Sequence, residues 1–218
     1  MHRAPVIAAW LILIGSLASC GGDSSTTPVA PTTSASEEIL SGTGVVINEF
    51  RTRGPNGEHD EFIELRNDSP ASIDIGGWHI HASDTAGATT LLRTIGATGG
   101  TPGEFSGTDA ARTTLGPGCH YLLVNFNGYR GVADNTYSIG IPDAGGLAII
   151  DESGTTIDAV GLSVGSAFKE GTPLSAFPGT NSDHSYKRTG NDTNNNANDF
   201  SLSSPSTEKS RLTTCLVR

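Results

Sequence analysis

Charge is scarce in this sequence, and basic charge scarcer still: charged side chains make up 17% of residues, with 13 Lys and Arg against 23 Asp and Glu. So thin a charge density excludes a coiled-coil or other long helical composition. A formal net charge of −10 argues against a surface built to hold nucleic-acid phosphates. Helical patterning is missing as well, since no segment between residues 40 and 205 sustains apolar side chains at i, i+3, i+4 and i+7. Neither Cys119 nor Cys215 stands in a catalytic context. The 28 glycines show no three-residue period, which excludes collagen and points to many turns between short elements. Long apolar runs are absent too. The stretch from Ala4 to Leu17 is about 14 residues, whereas a membrane-crossing helix needs roughly 20.

What is present begins with an address. His2 and Arg3 precede that apolar stretch, which is the form of a secretory signal. Leu17-Ala18-Ser19-Cys20 then resembles the bacterial lipobox, in which small residues precede the Cys that receives a diacylglycerol group. Residues 1–19 are therefore expected to be a lipoprotein signal peptide and Cys20 the lipidated residue; the alternative is an ordinary signal cleaved after Ala18. Acyl chains on Cys20 would hold the mature protein at a membrane at about 0.8 kcal/mol per buried methylene. Residues 20–42 read as the lipidated Cys and a Ser/Thr/Pro-rich linker. As a flexible tether, its residues 21–38 would reach about 24 Å. Gly21, in the place where an Asp would retain a lipoprotein at the inner membrane, directs the expectation to the outer membrane or cell surface of an organism that has one. With Cys20 used, Cys119 and Cys215 remain as an even pair that can bridge in an oxidising space; the other reading is two free thiols.

From Val45 onward, short runs alternate with turn residues. Val45 to Phe50 is rich in β-branched side chains and ends near Gly54-Pro55-Asn56-Gly57. Phe62, Ile63 and Leu65 lie in a run stopped by Asn67-Asp68-Ser69-Pro70, and Ile73 and Ile75 alternate with Ser72 and Asp74. After Gly76-Gly77, Trp78 and Ile80 alternate with His79 and His81. Further strands are expected at 90–95, 113–115, 120–125, 146–151, 155–161 and 184–188. The spacing predicts an all-β sandwich or barrel. Residues 97–112 and 163–183 are too polar for core strands and are expected to be surface loops.

The order of these runs, VVINEF, DEFIELRN and SIDIGGWHI, resembles the opening of a lamin tail domain. TTLGPGCHYLLV, GLAIIDESGTTIDAVGL and the closing Asp199-Phe200-Ser201-Leu202-Ser203-Ser204-Pro205 continue the likeness over roughly residues 43–207. The resemblance implies an immunoglobulin-like β-sandwich over 43–207, with 208–218 as a C-terminal tail. It implies no activity, because such domains serve as accessory modules beside many partners. Trp78 is expected to fill the centre between two sheets, in a core with Phe62, Leu65 and Ile80.

Chemistry-bearing residues are few. Glu64 lies between Ile63 and Leu65, so it faces away from them; it reads as a surface or cross-strand partner of Arg51, Arg53 or Arg66 rather than a binding carboxylate. Asp60, Glu61 and Glu64 could form a carboxylate pair, but the loops suggest no cleft, and no catalytic residues are assigned. His79 and His81 share a strand face and could begin a zinc site with His120 or His59. The alternative is an outward polar row. Asp192-x-Asn194-x-Asn196-x-x-Asp199 places oxygen ligands as calcium prefers, although Ala197 and Ser203 stand where a helix-loop-helix calcium loop wants Gly and Glu. An Asx-rich turn is the preferred reading there. No cofactor is otherwise expected. The functional expectation is a non-enzymatic, lipid-anchored and surface-displayed module that contacts a protein or polysaccharide. The alternative is an accessory factor for extracellular nucleic acid, in spite of the acidic balance.

Overall fold

The computed structural model describes residues 44–96, 113–210 and 214–215. The signal segment, Cys20, the 20–42 linker and the 97–112 loop lie outside them. The first strands are β1 (Val45–Arg51), β2 (Phe62–Asn67), β3 (Ile73–Asp74), β4 (His79–Ser83), β5 (Thr89–Thr94) and β6 (Thr114–Leu115). They are followed by β7 (His120–Asn125), β8 (Asn135–Tyr137), β9 (Gly146–Ile150), β10 (Thr156–Gly161), β11 (Ser185–Arg188), the single-turn α1 (Asn196–Asp199) and β12 (Phe200–Ser203). A six-stranded sheet runs β12-β11-β1-β2-β7-β8 and a four-stranded sheet β10-β9-β4-β5, with β3 and β6 paired apart. All pairings are antiparallel except β7 with β8. The all-β expectation holds.

The main core lies between the sheets. Ile47, Phe50, Ile63, Leu65, Tyr121 and Leu123 face Ile80, Leu147, Ile149 and Val160 in one cluster. Strict alternation along β1 would send Glu49 inward with Val45 and Ile47 and turn Phe50 out. A bulge between Ile47 and Glu49 resets the parity, so Phe50 joins the core and Glu49 pairs opposite Glu64. Phe50 then meets Tyr186 and Phe200 at ring distances of 5.8 and 5.7 Å, which ties β11 and β12 to the core.

Trp78 joins the main core from the turn before β4, with its amide bonded to the Ile75 carbonyl at 3.2 Å, and keeps 8% of its surface while Phe50 keeps none. That turn requires Gly77, whose φ is +77° and whose missing Cβ leaves room for the Glu152 side chain. Phe62 is buried, but on the opposite sheet face, in a smaller cluster with Leu122 and Val124 covered by Tyr129 and Ala133. Ile80 and Leu65 are in the main core. The 163–183 segment is not merely a surface loop, because Leu174 and Phe177 enter the core. Its backbone is held by bonds from Leu174 N to Gly161 O (2.8 Å) and from Phe177 N to Asp143 O (2.6 Å). Two runs escaped the sequence reading, β8 and β12. Both are short.

Candidate functional site

The three carboxylates of the β1–β2 region serve three separate purposes. Asp60 is buried beneath Arg51, with Arg51 Nη2 at 2.5 Å from its Oδ1 and Asn56 N at 2.9 Å from its Oδ2. Glu64 is buried too, which corrects the surface reading. It accepts from Asn48 Nδ2, from the Lys209 amide and, at 2.7 Å, from His120 Nδ1. No arginine bonds to it among the described contacts. Glu49, its cross-strand neighbour, accepts from Ser185 Oγ, Thr207 N and Thr207 Oγ1, each at 2.7 Å. Like charges facing across a strand pair repel. Here the amides of Thr207 and Lys209, two residues apart on one strap of chain, meet the two carboxylates in turn. A disulfide between Cys119 and Cys215, Cα atoms 5.5 Å apart, fixes the end of that strap.

Glu61 lines an open cleft of about 250 Å³ built by the β1–β2 and β8–β9 connections. Arg53, Glu58, His59, Ile141 and Asp143 share its wall. Arg53 is clamped to Asp143, Nη2 to Oδ2 at 2.6 Å. Glu61 accepts from Asn125 Nδ2 at 2.9 Å and from Ile141 N at 2.8 Å. Loss of solvent outweighs these bonds and pushes its carboxyl up to about 8. The cleft was not legible in the sequence, because its two walls are some 80 residues apart in the chain.

A second acidic group gathers around Arg188 on β11. The guanidinium is wholly buried and reaches Asp158 Oδ2 at 2.7 Å, Asp192 Oδ1 at 3.3 Å and Asp199 Oδ2 at 3.5 Å. Its Nε donates to Ile47 O at 2.9 Å, and its Cζ lies 4.5 Å from the centre of the Phe200 ring. Asp158 on β10 also accepts from Ile47 N, so it spans the two sheets. Burial pushes Asp158 up to about 7 against the pull of Arg188. It pushes Glu170, in the 163–183 segment, up to about 9 with the neighbouring acids adding to the effect.

The four residues of the sequence's calcium run are distributed differently. Asn196 Oδ1 accepts from Gly161 N and Glu170 N, both at 2.9 Å, while its Nδ2 donates to Ala159 O and Glu170 Oε2. Asp199 accepts from Thr193 N, Thr193 Oγ1 and Asn195 N, while Asp192 Oδ1 accepts from the Asn194 amide two residues on, an Asx-type turn. Asn194 is exposed at φ +53°, the left-handed region that Asn tolerates. Of the four, Asp192 is the one whose carboxylate oxygen gathers with those of Asp158 and Glu170.

His79 and His81 lie on β4 with ring centres 6.2 Å apart, outside the inward Ile80 and Ala82, and His79 Nδ1 contacts Thr94 Oγ1 at 2.9 Å. Burial lowers the His81 pKa, and His79 adds to the effect. His120 is on the other sheet, bonded to Glu64, and His59 lines the cleft, so neither joins them. Among the described residues no helix is long and apolar enough to cross a membrane.

A family model described as Lamin Tail Domain matches residues 40–163, more than half of the chain. Among solved structures, the chain is similar to a DUF4876 family protein from Bacteroides thetaiotaomicron. The two are 14% identical over 73% of this chain and 70% of that one, with a TM-score of 0.45. No curated protein matches it.

Proposed function

The chain belongs to the Lamin Tail Domain family, and from that premise we propose that it is a non-catalytic binding module carried on a cell envelope by a lipidated Cys20. The observation that carries the reading is the order of its parts: a lipobox ending at Cys20, a Ser/Thr/Pro-rich linker, then an all-β body. The cleft lined by Arg53, His59, Glu61 and Asp143 is the surface through which it grips a protein or polysaccharide. Loop-built and open, it offers donors and acceptors beside the apolar Ile141 and Pro142 on a rigid frame. The carboxylates of the β1–β2 region support recognition rather than catalysis, since Asp60, Glu61 and Glu64 each bond to different partners. Arg51, Arg53, Arg66 and Arg188 are all engaged by carboxylates, which weighs against a role in holding nucleic-acid phosphates.

Palmitate labelling of cells that produce the full chain tests the anchor. Label is expected in the membrane fraction and absent from Cys20→Ser; undiminished label in that variant ends the lipoprotein reading. For the cleft, envelope material retained by the immobilised chain is expected to fall at least tenfold with His59→Ala. Retention that persists there but vanishes with rising salt, on DNA, would favour a nucleic-acid role instead.

A further inference from the structure

Asp158, Glu170 and Asp192 come from three separate stretches of chain, β10, the 163–183 segment and the β11–α1 turn. Each turns one carboxylate oxygen towards the others, and these oxygens all lie within 4.8 Å of one another. Their surroundings are closed. Asp158 has no exposed surface, Glu170 keeps 4% of its own, and the Asp192 side chain keeps 4%.

The hydrogen bonds do not use this group up. Glu170 Oε1 and Asp192 Oδ2 are buried and have no hydrogen-bond partner. Among the described residues, Asp158 Oδ1 has only the adjacent Ala159 amide. Arg188 is the sole cation among the described contacts of the group, and it is shared with Asp199, so four carboxylates surround one positive charge. Buried carboxylate oxygens without donors are costly unless something positive meets them.

We propose that Asp158, Glu170 and Asp192 bind a divalent cation, and that the cation is calcium. All the donors are hard anionic oxygens, the set that calcium takes. Two Ca–O bonds of about 2.4 Å on opposite sides span about 4.8 Å, whereas Mg–O bonds of about 2.1 Å demand a tighter and more regular shell. The site differs from the run of alternate oxygens in the sequence: it keeps Asp192 and recruits Asp158 and Glu170 from elsewhere in the fold. Occupied, it pins the 163–183 segment and the β11–β12 connection to β10. It does not depend on the anchor or on the cleft.

The test uses the full chain purified in mild detergent, stripped with EDTA and titrated with CaCl₂ by calorimetry, with a thermal melt alongside. One calcium per chain is expected, with a melting temperature raised by about 5 °C at millimolar calcium. Glu170→Gln and Asp192→Asn are expected to weaken calcium at least tenfold while melting no lower than the parent in EDTA, because each replaces a carboxylate with one buried oxygen that has no hydrogen-bond partner. Asp151→Asn, at a half-buried carboxylate outside the group, is expected to bind calcium as the parent does. Magnesium is expected to bind at least tenfold more weakly. The proposal is overturned if the parent shows neither heat nor a melting shift up to 10 mM calcium. Calcium binding that survives in both variants, or magnesium that binds as tightly, overturns it equally.

Discussion

Glu64 shows how much one side chain can organise. Three donors converge on it, from Asn48, His120 and the backbone of Lys209. Each buried donor stranded by its loss costs about 1–3 kcal/mol. Glu64→Ala should therefore destabilise the protein by on the order of 3 kcal/mol in a urea melt, and speed hydrogen exchange at the Lys209 amide. Loss of stability without faster exchange there would mean that the strap is held by other contacts. Glu61 makes a different prediction. Its folded carboxyl titrates near 8 against an ordinary 4.5, so the folded state holds a proton that the unfolded chain has released between those values. Stability must then fall as pH rises through that window. Glu61→Gln carries no titrating proton, so the difference between the parent and variant stability curves should slope from about pH 4.5 to 8 and be flat outside it. The sequence disclosed the identity of both residues and nothing of this difference. Phe62, Glu64 and Arg66 alternate with Ile63 and Leu65 as an outer face should, yet Phe62 and Glu64 are buried, because other parts of the chain return to cover that face.

Among the elements, β11 is the keystone. It pairs with both β1 and β12 and carries Arg188, which bonds to β1 at Ile47 O and to β10 at Asp158. Arg188→Met keeps much of the packing against Phe200 but abandons buried carboxylates, and should cost about 3–5 kcal/mol by denaturant unfolding. A measured loss below about 1 kcal/mol would show that protons or an ion already compensate those acids. The strap is the second element of consequence. The disulfide closes a loop with a sequence separation of 96 residues, so Cys215→Ser should cost about 2–4 kcal/mol and raise exchange at the Thr207 and Lys209 amides. The same melt run on the parent in reductant should reproduce the loss. Strand positions were read well because alternation and turn residues are local signals. β8 and β12 were missed because each is short and completed by its neighbours: β8 lies parallel against β7, and β12 is an edge strand on β11.

For the molecule as a whole, the division between tether and body is the property most open to test. Composition predicts a linker over residues 20–42, and the first strand starts at Val45. Limited proteolysis of the full chain should cut within that linker and release one resistant fragment beginning near residue 43; early cuts within β1 to β4 would contradict a compact body. The amino-acid order was enough to announce a twofold alternation, its punctuation by glycine and proline, an acidic balance and a stretch that resembles a lipobox, because these depend on near neighbours or on totals. It could not announce the parity shift at Asn48, the carboxylates that meet the strap, the cleft, or the gathering of Asp158, Glu170 and Asp192. Those depend on which segments, from about a dozen to more than a hundred positions apart, the fold brings within a few ångströms, and that is settled by tertiary packing.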